Sequence, residues 1–185
     1  MSYALVIGGK GGRRFEAVRS VAAALAARGL RVGGFTQRTV HPETGPASIE
    51  MTRLGGGPTL PLARSGAAGE AADPASCSFA FDAGALEQAR RWVEEDARVA
   101  HVVVLDGIGA LELGGGGHRA AVEQALAAGA LALLAVRDDQ LVYALEALGL
   151  AEPVAAFRAG DGPAALAAFV DDLVRACTAP HQGSR

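Results

Sequence analysis

An apolar run from Tyr3 to Ile7 breaks into glycine at positions 8, 9, 11 and 12, and a helical stretch follows in which Val18, Val21, Ala22 and Leu25 share one face. Gly29 is a natural stop for that helix. A buried strand handed to a helix through a glycine turn belongs to an open sheet with helices on its faces, and the rest of the chain repeats the theme. Arg31 to Gln37 reads as a second strand, and His101-Val102-Val103-Val104-Leu105, closed by Asp106, as the most hydrophobic one. Ala130 to Val136 and a short segment around Val154 to Phe157 complete the apolar set. Helical patterns over Ala83 to Arg98, after the Gly114 to Gly117 run through Ala128, near Asp139 to Leu148 and over Pro163 to Ala176 lie between and after them.

Alternation of this kind predicts an α/β fold with a mostly parallel sheet covered on both sides, a three-layer αβα arrangement. The middle of the chain differs. Ser48 to Leu54 alternates at period two, Gly55-Gly56-Gly57-Pro58 makes a turn and Leu60-Pro61-Leu62-Ala63 follows, so a β-hairpin inserted over about 47–63 is expected. Residues 64–76 are small and polar and read as a mobile loop, with a short strand from Ser78 to Phe81 after them. The expected organisation is one domain over 1–178 and a flexible tail over 179–185.

Composition excludes several classes. A formal net charge of -3 and 5% aromatic residues give neither a basic surface for nucleic acid nor platforms for base stacking. No apolar run approaches the ~20 residues that a membrane span needs. The apolar start is too short for a secretory leader, which sets the expectation of a soluble, cytoplasmic protein. Cys77 and Cys177 lie far apart and without ligand spacing, as free thiols would.

The glycine turn has the outline of a phosphate-binding loop. Such a loop cradles phosphate in backbone amides, with a lysine on the outer phosphates and a hydroxyl on magnesium. Matching Gly8 and Gly11 to the pattern Gly-x-x-Gly-x-Gly-Lys-Thr puts Arg13 at the last glycine, Arg14 at the lysine and Phe15 at the hydroxyl. A second register starts from Lys10-Gly11-Gly12, as in the deviant loops of partitioning ATPases, and places Arg14, Phe15 and Glu16 at glycine, lysine and threonine. In both, a helix N-terminus stands beside Lys10, Arg13 and Arg14, which suits an anion as well as it suits a plain strand-to-helix turn. Asp106, at the carboxyl end of a buried strand, points to the same edge, where ligands of such sheets collect. Arg137 follows another strand to that edge and has an ion pair with Asp138 or Asp139 as its simpler reading. His118 beside the glycine run reads as a surface histidine.

Gly34-Phe35-Thr36, the hairpin, and above all Asp106-Gly107-Ile108-Gly109-Ala110-Leu111-Glu112-Leu113 resemble the THEP-type nucleoside-triphosphatases, small P-loop proteins whose pattern at the last stretch is Asp-Glu-Ile-Gly-Lys-Met/Leu-Glu-Leu. Cys77 to Leu86 and Ala135-Val136-Arg137 also resemble a related uncharacterised P-loop-like family found near molybdate-handling genes. The resemblance implies a P-loop NTPase fold and a nucleotide cradle of Gly8, Gly9, Lys10, Gly11, Gly12, Arg13 and Arg14, and the place of Arg137 after its strand adds it as a candidate anion contact. It also implies Asp106 as catalytic and magnesium-ligating and Glu112 as a second site carboxylate. ATP or GTP with magnesium is the implied ligand. Arg13, Arg14, Phe15, Gly107 and Ala110 stand where the family has Gly, Lys, Thr, Glu and Lys.

Three functional readings follow from the residues together with this resemblance. The first is a degenerate nucleoside-triphosphatase that binds nucleotide or another anion weakly and lacks efficient hydrolysis. The second is a binding or scaffold protein on the same fold, with the hairpin and residues 64–76 as its partner surface. The third is a slow nucleoside triphosphatase using Arg14 for the phosphates and Glu112 for water.

Overall fold

The computed structural model describes residues 2–9, 13–66 and 79–179. Its centre is an eight-stranded sheet in the order β5-β4-β3-β2-β6-β7-β1-β8. The strands are β1 (Tyr3–Gly8), β2 (Val32–Val40), β3 (Ser48–Arg53), β4 (Thr59–Ser65), β5 (Phe79–Phe81), β6 (Val102–Ile108), β7 (Leu131–Arg137) and β8 (Ala156–Arg158). Neighbours from β2 through β8 run parallel, and β3, β4 and β5 extend the sheet antiparallel beyond β2. The predicted hairpin is therefore part of the main sheet, with β5 outside it.

Helices cover both faces: α1 (Arg13–Ala27), α2 (Ala83–Asp96), α3 (Ala110–Leu113), α4 (Arg119–Ala127), α5 (Leu141–Ala147) and α6 (Pro163–Thr178). Successive residues of a strand point to opposite faces, and β1 shows the consequence. Ala4 and Val6 pack with Val18, Val21 and Leu25 of α1 and Phe169, Val170 and Leu173 of α6. Tyr3, Leu5 and Ile7 pack with Trp92 and Val93 of α2 and Val122 and Ala125 of α4. A strand buried on both faces must be apolar throughout, which is why β1, β6 and β7 stand out as continuous apolar runs.

Several boundaries differ from those predicted, each for a tertiary reason. Strand β2 continues to Val40 because Arg38, Thr39 and Val40 pair with Glu50, Ile49 and Ser48 of the hairpin. Arg64 and Ser65, assigned from sequence to the loop over 64–76, belong to β4, where they pair with β5. The remainder of that loop from residue 67, with Cys77 and Ser78, lies outside the described residues, as does the tail from residue 180. Helix α2 ends at Asp96, whose side chain accepts from the Gly34 amide at 2.7 Å and from Arg53 at 2.6 Å. Helix α5 is shorter than predicted because Asp138 to Gln140 form a 3-10 turn. Short α3 was not anticipated. Among the described residues no helix is long and apolar enough to cross a membrane.

Candidate functional site

Parallel pairing aligns the carboxyl ends of β1, β7 and β6. Gly8 lies opposite Arg137, and Asp106 opposite Ala135, two residues inside the same edge. Arg14, in the first turn of α1, runs over Gly8: a Cβ on Gly8 would stand 3.1 Å from that of Arg14 and 2.9 Å from that of Ala159. From there its side chain crosses the end of β7, and Nε donates to Asp106 Oδ1 at 3.1 Å. The second oxygen of Asp106 accepts from the Gln37 amide of β2 at 2.9 Å. Asp106 is wholly buried and Arg14 18% exposed. Burial pushes the Asp106 carboxyl above its usual range, against the opposing pull of Arg14 and the Gln37 amide.

Gly107, where the THEP-type pattern has glutamate, has φ +93°, and a Cβ there would lie 2.4 Å from Gln37 Oε1. The Gln37 side chain thus takes the space a residue at 107 would use, and an L side chain would be strained whatever the space. Glu112 is also buried. Its Oε2 accepts from the Gly109 amide at 2.9 Å and its Oε1 from the His118 amide at 3.0 Å, so both oxygens clamp the loop around α3. Gly117, with φ +55°, leaves room for this, since a Cβ there would be 2.2 Å from Glu112 Oε1.

His118 corrects a sequence expectation. It is buried, 2% exposed, with its ring centroid 4.6 Å from that of Phe35. The Gln37 side-chain amide donates to its Nε2 at 2.7 Å, which leaves the ring proton on Nδ1, an atom with no partner among the described residues. Burial pushes its pKa down to about 4, so the ring is neutral. The glycine run before it folds the chain back onto α3, where the Gly116 amide donates to the Leu111 carbonyl at 3.0 Å, a turn that residue spacing did not reveal.

The other predicted residues are more dispersed. Arg137 donates from Nε to Asp139 Oδ1 at 3.0 Å, the ion pair anticipated as its simpler reading. Asp138 pairs with Arg158 at 3.3 Å and stands beside Gly9, whose Cβ would be 3.6 Å from Asp138 Oδ2. Arg13 opens α1 in an exposed position. Lys10, Gly11 and Gly12 lie outside the described residues. Tertiary structure thus joins Arg14, Asp106 and Glu112 with two residues that sequence reasoning missed as site members, Gln37 and His118. Gln37 had no signal beyond its place two residues after Phe35 on one strand face. Two clefts of about 290 and 530 Å³ lie elsewhere, at the amino-terminal edge of β2 between Arg31, Leu54 and Gly55.

A family model described as "Protein of unknown function (DUF2478)" matches residues 3–144, more than half of the chain. The chain belongs to the DUF2478 family. No curated protein matches this DUF2478 chain. Among solved structures, the solution structure of a human cancer-related nucleoside triphosphatase is similar at TM-score 0.60 and 17% identity, over 98% of this chain and 100% of that one. At that identity the likeness speaks for the fold. The DUF2478 chain has the three-layer, P-loop NTPase-like α/β fold that its sequence predicted.

Magnesium, which this fold family commonly employs, does not suit the residues present. Both oxygens of Asp106 are engaged, one by a guanidinium; Phe15 has no hydroxyl to offer and Gly107 no carboxylate. No group of three metal-ligating side chains occurs among the described residues.

Proposed function

We propose that this DUF2478 protein binds a phosphoanion, a nucleotide or a simpler one, at the turn from Gly8 to Arg14, without efficient hydrolysis. The observation that carries the reading is the engagement of both edge carboxylates: Asp106 by Arg14 and the Gln37 amide, Glu112 by two amides. A base for water must be within reach of it, and both carboxylates are buried with each oxygen already accepting a hydrogen bond from the protein. The positive end of α1 and the arginines at its start support the anion half of the reading.

Calorimetric titration with ATP and GTP tests the binding. Measurable heat with a saturable isotherm is expected, and no heat at millimolar nucleotide would overturn it. Phosphate release tests the second half. Wild type and Asp106→Asn should release phosphate at the same background rate, and turnover by wild type alone would identify a working triphosphatase.

A further inference from the structure

We propose that Arg14 is the resident cation of this site, so that the phosphoanion is taken free of divalent metal and is gripped by the two Nη groups of Arg14. The inference rests on the phosphoanion reading above and adds the ligand's chemical form.

The geometry supplies three reasons. Arg14 occupies the first turn after the glycine run, and its stem is held against Gly8 by a contact that any larger residue at 8 would break. Its Nε–H is committed to Asp106, which fixes the plane of the guanidinium. Among the described residues neither Nη group has a hydrogen-bond partner, and the side chain keeps 18% exposure at the sheet edge. A planar fork anchored by one N–H and presenting the others suits two oxygens of a phosphate or diphosphate.

The same contact works against a metal. In a magnesium-dependent site the strand-end aspartate carries the ion, directly or through water. Here the carboxylate already neutralises a cation, and a divalent ion brought beside it would be repelled by the guanidinium in a poorly screened place. Asp106 thereby becomes the residue that orients Arg14. A metal-free polyphosphate carries more negative charge than its magnesium complex and makes the stronger charge-assisted bonds to a fork.

The test is calorimetric titration of the full chain with ATP, once in EDTA and once in excess magnesium. Affinity in EDTA should equal or exceed that in magnesium. In EDTA, Arg14→Lys, which keeps the charge but loses the fork and the Nε anchor, should weaken binding by about tenfold, the worth of one charge-assisted bond, and Arg14→Ala by more. Circular dichroism and thermal melts confirm that each variant is folded. If Arg14→Ala does not fold, Arg14→Lys and the wild-type comparison still decide. Binding about tenfold tighter with magnesium would overturn the metal-free assignment, and unchanged affinity in Arg14→Lys would overturn the grip by Arg14; either leaves the phosphoanion reading intact. Absence of binding in both conditions would overturn the phosphoanion reading and this inference with it.

Discussion

Gly107 stands under a tight steric constraint at the position where the THEP-type pattern has glutamate. At φ +93°, with Gln37 Oε1 2.4 Å from where a Cβ would be, it cannot accept the glutamate of the THEP-type pattern without backbone strain and a collision. Gly107→Glu should therefore lower stability by roughly 2–4 kcal/mol in urea unfolding, from left-handed strain and overpacking together. Restoring the carboxylate should not restore phosphate release.

His118 makes a second prediction at this scale. Its folded pKa, about 4, lies below the ordinary histidine value of 6.5, so folding favours the neutral ring. The unfolded chain then binds more protons, and stability falls as pH drops from 6.5 towards 4, by up to roughly 3 kcal/mol. Asp106 and Glu112 act in the opposite sense. Burial raises both carboxyls, so their burial cost is present at higher pH and relieved as they protonate. Urea titrations of wild type and His118→Phe across pH 4 to 7 isolate the histidine. The variant should lose the acid-side fall, and identical pH profiles would contradict it.

Among elements, β1, β6 and β7 were legible because strands covered on both faces must be apolar at every position. Leu134 of β7 is fully buried, and Leu134→Ala should cost about 2–5 kcal/mol in urea unfolding. The junction of α2 with β2 was not legible. Asp96 holds the Gly34 amide and Arg53 at once, and a Cβ on Gly33 would come within 2.5 Å of it. Asp96→Ala should cost roughly 1–3 kcal/mol in the same assay, since it leaves the buried Gly34 amide without its acceptor and takes one of the two carboxylates from Arg53, with Glu95 remaining at 2.8 Å. Nothing local to Asp96 marks it out from Glu94 and Glu95, because its partners lie on other elements.

For the whole molecule, the decisive contact is between residues 92 positions apart: Arg14 and Asp106 meet because β7 lies between β1 and β6 and the arginine spans it. Removing the arginine leaves a wholly buried carboxylate without its counter-charge. Arg14→Ala should lower the urea midpoint at neutral pH by the equivalent of roughly 2–3 kcal/mol, below the usual cost of breaking a buried pair because Arg14 keeps some exposure. The loss should shrink at low pH as Asp106 takes up a proton in place of the guanidinium.

The sequence by itself determined the layered α/β fold, the hairpin and the edge of the sheet where Gly8, Asp106 and Arg137 gather. Hydrophobic period, glycine turns and strand ends are local and cannot be disguised. Only the tertiary structure decided how those groups are used. It set Arg14 on Asp106, closed Glu112 onto two amides, sent Arg137 to Asp139 and buried His118 against Phe35. Which partner a charge takes depends on strand order and helix placement, and those are products of the packed sheet as a whole.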